Sequence, residues 1–119
     1  MTLTGTSYIA GQRGQHDGKR FRGINPSTGG TLEPEFHEAS DDEAKRALDA
    51  AAAAFDIYRN TPAAERAAFL DRIADGIEAL GDALIERAHA ETGLPVARLV
   101  GERGRTCGQL RLFAQTVKE

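Results

Sequence analysis

The chain of 119 residues has 15 Lys and Arg against 18 Asp and Glu, a formal charge of −3, and is 40% hydrophobic and 28% charged. This is the composition of a globular domain, and its slight acidity gives no general pull toward nucleic acid or anionic membrane. A single cysteine excludes an intrachain disulfide, and no run approaches the roughly 18 apolar residues of a membrane-spanning helix.

The first 39 residues are glycine-rich and read as a β-hairpin region with turns. Residues 7–12 and 19–24 flank Asp17-Gly18, a favoured hairpin pair, which predicts the apex of a hairpin there. Asn25-Pro26-Ser27-Thr28-Gly29-Gly30 is a strong turn signal, because proline fixes φ and glycine supplies positive φ. Residues 31–38 are expected as a third strand, with Pro34 placing it on an edge. The N-terminus, MTLTGTSYIAGQ, has neither the basic leader nor the apolar run of a signal peptide, so a cytoplasmic protein is expected.

Three helices are expected to follow, over 40–59, 62–92 and 95–119. Ser40 and Glu43 form a capping box, and Ala44, Ala47, Leu48, Ala51, Phe55 and Tyr58 trace one apolar face. In the second helix Thr61 is the expected N-cap and Pro62 the first helical residue. Its ridge is Leu70, Ile73, Ile77, Leu80 and Leu84, opposite a face carrying Asp71, Asp75, Glu78, Asp82 and Glu86. Gly93 is the natural left-handed residue ending it. The third helix has a ridge of Val96, Leu99, Val100, Cys107, Leu110, Ala114 and Val117. It also holds Gly101, Gly104 and Gly108, a second strip about 130° around. Each interior glycine costs a helix about 1 kcal/mol against alanine. The strip is therefore expected to receive polypeptide from outside this segment.

The chemistry-bearing residues form no site motif. His16, His37 and His89 lie on separate elements without metal-ligand spacing to one another or to Cys107. Gly101-Glu102-Arg103-Gly104-Arg105 resembles a phosphate loop only superficially, since a helix commits its amides to the ladder. Arg98, Arg103, Arg105 and Arg111 are interleaved with Glu102 and apolar residues, as on a solvated or salt-bridged face rather than a nucleic-acid patch. Cys107 falls on the apolar ridge, where a thiol is ordinarily buried and inert, although Arg103 one turn earlier would favour its thiolate. No catalytic, cofactor-binding or metal-binding residue is assigned. Local signals also fit a stand-alone helical interaction module without enzymatic activity.

The order of these features carries a resemblance. INPSTGG at residues 24–30, the alanine-rich helix, TPAAERAAFL at 61–70 and ETGLP at 91–95 together resemble the N-terminal region of the aldehyde dehydrogenase superfamily. GERGRTCGQLRLFA at 101–114 resembles the branch that oxidises 2-oxoglutarate semialdehyde, commonly with NADP. The resemblance implies an α/β parent fold, of which residues 1–119 are the N-terminal portion of a cofactor-binding domain. It implies NADP or NAD and a small aldehyde in a cytosolic, homo-oligomeric parent, the remainder of that polypeptide being this segment's partner. The family's cysteine nucleophile, glutamate base and dinucleotide contacts lie downstream, so the isolated chain is expected to bind no cofactor and to be inactive. The family's monovalent-cation site uses a threonine-isoleucine pair; Gly23 and Ile24 stand there, so the side-chain ligand is absent. No membrane and no nucleic-acid partner is implied.

Overall fold

Ala10 and Gly11, with φ of 49° and 77°, turn the chain sharply between strands β1 (Tyr8–Ile9) and β2 (Gln12–Arg13). Two successive positive φ values match the right-handed twist of a two-residue hairpin. The computed structural model describes all 119 residues. Two further strands, β3 (Arg20–Ile24) and β4 (Thr31–His37), pair antiparallel, and four helices follow. These are α1 (Asp41–Tyr58), α2 (Ala63–Ala79), α3 (Gly81–Thr92) and α4 (Val96–Lys118). The chain divides into two compact units, one of Met1, Asn25–Thr28 and Thr61–Glu119, the other of Thr2–Ile24 and Gly29–Asn60.

In the second of these units the strands depart from the sequence reading. Asp17-Gly18 is not a hairpin apex: β1 turns back at Ala10-Gly11, and β3 turns through the Asn25-Pro26-Ser27-Thr28 segment to β4. Gly18 is needed for another reason, since a Cβ there would lie 1.9 Å from the Glu38 carbonyl oxygen. Phe21 faces Phe36 with ring centroids 5.6 Å apart, and Arg20 pairs with Glu35 at 3.1 Å. The register jumps after Arg22↔Glu35 to Gly23↔Leu32, which leaves Glu33 and Pro34 in a bulge. A bulge accommodates proline because it asks for no ladder N–H there.

Helix α1 starts as its sequence dictates. Ser40 Oγ accepts the Glu43 amide at 3.1 Å while Glu43 Oε2 accepts the Ser40 amide at 3.1 Å. Glu43 does more than cap. It is buried, and Oε1 accepts the Gln15 amide at 2.7 Å, fastening the segment after β2 to the helix. These amides hold the Glu43 carboxyl below its ordinary range, Gln15 first and Ser40 second.

The unit containing α2, α3 and α4 shows one plain correction. The expected helix over 62–92 is two helices, broken at Gly81, whose φ is +60°. Four helices therefore stand where three were expected. Helix α2 also begins one residue later than expected: Pro62, at ψ 146°, is its N-cap and Ala63 its first residue. At the far end of α3, Gly93 is left-handed and its amide reaches the His89 carbonyl at 2.9 Å. Helix α4 runs antiparallel to α2, since Gly81, Ala74 and Asp71 meet Arg103, Cys107 and Lys118 in turn.

The fully covered residues on this seam are small. Ala67, Ala74, Cys107 and Ala114 are no more than 1% exposed, whereas Leu70, Ile73, Ile77 and Leu84 are only partly covered and Leu80 is exposed. Alanine lets the two helix backbones approach closely, and the long aliphatic side chains then flank the seam rather than fill it. Ile85 and Leu99 complete the core where α3 meets α4.

Candidate functional site

The best-built feature of the chain is the seam between α2 and α4, and its polar rim comes from helical spacing. Asp75 and Glu78, three residues apart on α2, project to one side and converge on Arg111 of α4. Arg111 Nη1 and Nη2 donate to the two Glu78 carboxylate oxygens at 3.0 and 2.9 Å, and Nη2 donates to Asp75 at 2.8 Å. This planar, bidentate geometry is the arrangement guanidinium favours with carboxylate. It holds the Glu78 carboxyl below its ordinary range, chiefly through the Arg111 hydrogen bond, and raises that of Arg111. Lys118 approaches Asp71 at 3.8 Å farther along, and Arg103 donates to the Gly81 carbonyl at 2.9 Å.

Cys107 lies in the middle of this seam, 1% exposed, with its thiol donating to the Ala74 carbonyl at 3.6 Å. Arg103, expected to favour a thiolate, is instead engaged with Gly81. Arg98 pairs with Glu102 at 2.9 Å along α4. Of the three histidines, two come together: His16 and His37 stand edge to face with centroids 4.9 Å apart. That arrangement aims one ring's edge at the other's face, so the two do not converge on a common ligand. His89 Nδ1 contacts the Leu94 carbonyl at 2.7 Å, closing the turn after α3. No three His, Cys, Asp or Glu side chains are grouped to hold a metal ion.

Beside the seam runs an open groove of about 750 Å³, bordered by Leu70 of α2 and by Arg105, Gln109, Leu110, Phe113 and Val117 of α4. Around the helix from this groove, Gly101, Gly104 and Gly108 are exposed, and a Cβ at any of them would meet nothing within 4 Å. Nothing in this chain therefore requires glycine there.

Binding of a dinucleotide phosphate calls for free amides at a helix start behind a strand. Helices α2, α3 and α4 each follow a helix rather than a strand. At α1, which does follow one, the Glu43 amide is taken by Ser40, and Asp41, Asp42 and Glu43 crowd the first turn with negative charge. Gly101 to Arg105 lie inside α4. The residues present do not fit such a cradle.

Comparison with known proteins places this architecture. The family model described as "Aldehyde dehydrogenase family" matches residues 13–119. An alpha-ketoglutaric semialdehyde dehydrogenase 2 of Azospirillum brasilense is 55% identical over 120 residues, covering 100% of this chain and 23% of the relative. An alpha-ketoglutaric semialdehyde dehydrogenase of Acinetobacter baylyi is 44% identical over 114 residues, covering 96% and 22%. Among solved structures, an NAD-dependent benzaldehyde dehydrogenase from Corynebacterium glutamicum superposes with a TM-score of 0.87. It covers 97% of this chain and 25% of its own, and at 24% identity the likeness is one of fold alone. The chain thus spans about a quarter of the length of the relatives it matches.

Proposed function

This chain belongs to the aldehyde dehydrogenase family, and from that premise we infer that it is the N-terminal scaffold of an NAD(P)-dependent enzyme. The reaction proposed for the whole enzyme is oxidation of 2-oxoglutarate semialdehyde to its carboxylic acid. The observation that carries the substrate is the 55% identity to the Azospirillum brasilense relative along the entire segment. This segment is read as part of the cofactor-binding domain, and the parent as a cytoplasmic homo-oligomer. Its role is to present packed helices, with the nucleophile, base and dinucleotide contacts supplied by the remaining polypeptide.

The scaffold reading rests on what the side chains here already do. Arg111, Arg103 and Arg98 are engaged with carboxylates or a carbonyl, Cys107 is sealed between helices, and Glu43 is committed to backbone amides. A group held in this way is poised to hold structure, not to meet a substrate.

The test has two arms, read by absorbance of the reduced nicotinamide. The pure 119-residue chain is expected to give no aldehyde-dependent reduction of NADP or NAD. A chimera in which it replaces the aligned 120 residues of the Azospirillum relative is expected to oxidise 2-oxoglutarate semialdehyde. Turnover by the isolated chain would end the scaffold reading, and a well-folded chimera with no turnover would end the proposed reaction.

A further inference from the structure

Aspartate is followed by glycine twice in this chain, at Asp17-Gly18 and at Asp75-Gly76. Such a step is chemically labile, because glycine has no side chain to shield its amide nitrogen from the preceding carboxyl group. That nitrogen can attack the aspartate Cγ and close a five-membered ring. The fold holds the two steps very differently.

Asp75-Gly76 lies within α2, where the Gly76 amide is committed to the helix ladder. The Asp75 carboxylate accepts from Arg111 Nη2 at 2.8 Å. Ring closure there requires the helix to open and the ion pair to part. Asp17-Gly18 lies between β2 and β3, outside any helix or strand. Asp17 is exposed, and neither its carboxylate nor the Gly18 amide has a hydrogen-bond or ion-pair partner. Glycine is also obligatory at this step and not at the other. A Cβ at position 18 would lie 1.9 Å from the Glu38 carbonyl oxygen, whereas one at position 76 would meet nothing within 4 Å. The contact that demands Gly18 thus preserves the labile step.

We propose that Asp17-Gly18 is a site of spontaneous covalent modification, at which aspartate becomes isoaspartate, and that the fold protects Asp75-Gly76 from the same reaction. Water is the only reagent. The Gly18 nitrogen gives up its proton and bonds to Asp17 Cγ, and the carboxyl hydroxyl leaves with that proton as water. Hydrolysis of the resulting succinimide at Cγ restores aspartate. Hydrolysis at the main-chain carbonyl carbon leaves the Gly18 nitrogen joined to Cγ, which is isoaspartate with a free α-carboxylate. One water is lost and one regained, with nothing oxidised or reduced. The new linkage adds a methylene to the main chain directly before Gly18. Gly18 is packed against Glu38, whose amide donates to the Lys19 carbonyl at 2.8 Å. Conversion should therefore loosen the Arg20–His37 end of the β3–β4 ladder.

The 119-residue chain is aged for weeks in heavy-oxygen water at neutral pH and physiological temperature, with and without concentrated urea. Each ring hydrolysis leaves one heavy oxygen on the aspartate, so peptide mass spectrometry counts passages at both steps. Electron-transfer fragmentation separates isoaspartate from aspartate. Without urea, heavy oxygen should enter at residue 17 at least about tenfold faster than at residue 75, and isoaspartate should accumulate at 17. In urea the two rates should converge. Asp17→Glu, which would need a six-membered ring, should all but abolish uptake at that position and leave residue 75 unchanged.

Equal rates at the two steps without urea, or no uptake at residue 17, would overturn the proposal. A contrast that persists in urea would assign it to the flanking residues and overturn protection by the fold. In the aged fraction the Glu38 amide should exchange its hydrogen faster, with the α2 and α4 amides unchanged; unaltered exchange at Glu38 would overturn the structural consequence. None of these outcomes depends on which aldehyde the parent enzyme oxidises.

Discussion

Gly81 decides where one long apolar pattern becomes two helices. Its φ of +60° is strained for any residue with a Cβ, although the space around it is open. Gly81→Ala is therefore expected to destabilise the chain by roughly 1–2 kcal/mol, read as a lowered urea midpoint with unchanged slope. A neutral or stabilising result would mean that the α2–α3 break is not held in the folded chain. Glu43 governs the response to acid at the same scale. Its folded carboxyl, like that of Glu78, lies below the ordinary value of 4.5. A depressed carboxyl contributes stability that is complete above the unfolded value and lost as pH falls through the folded one. Thermal midpoints should therefore be level from pH 7 to about 5 and drop below about 4.5. Glu43→Gln should be less stable at pH 7 and show a shallower acid decline; an unaltered decline would remove Glu43 from the account. Neither residue's full role was legible in sequence. The capping box was, because Ser40 and Glu43 are three residues apart, but the Gln15 amide lies 28 residues away. Gly81 was hidden inside an uninterrupted apolar period, which reports the side facing the core and not the backbone angle.

Helices α1 and α4, entered through a capping box and through Pro95, run close to the expected limits, whereas the equally continuous period behind Pro62 concealed the break at Gly81. What periodicity misjudged was which residues would be most deeply covered. It marks large aliphatics, yet the close α2–α4 approach is made by Ala67, Ala74 and Ala114, with the leucines and isoleucines beside it. The strands were least legible, because pairs only two residues long carry no alternation, and Asp17-Gly18 imitates a turn while serving a close backbone contact. The glycines of α4 make a test with a definite sign. In the isolated chain Gly101, Gly104 and Gly108 have helical backbones and open surroundings. Alanine at each should then stabilise it by about 1 kcal/mol, measured by urea unfolding. Loss of stability in the isolated chain would show that the strip is already in contact there.

Taken whole, the molecule has well-made contacts and too little cover. Small residues fill the α2–α4 seam and Arg111 ties its rim, while Leu48, Phe55, Leu112 and Phe113 are each more than half exposed. Burying side chains of this size is worth roughly 1.5–3 kcal/mol each, and that stabilisation is unrealised in the isolated chain. This predicts a specific combination of behaviours. The 119-residue protein should enhance the fluorescence of an apolar dye such as ANS and still give dispersed amide signals in a two-dimensional NMR spectrum. Dye binding alone would not discriminate, because a loosely packed state also binds it. Dispersed signals with dye binding mean ordered helices with bare faces, as a segment shaped for a larger partner should have. Collapsed signals with dye binding would mean that the seam does not hold without the rest of the enzyme. Dispersed signals without dye would mean that the exposed stripes cover themselves in solution, which is the behaviour of a self-sufficient module and would remove the physical basis for treating this chain as a scaffold.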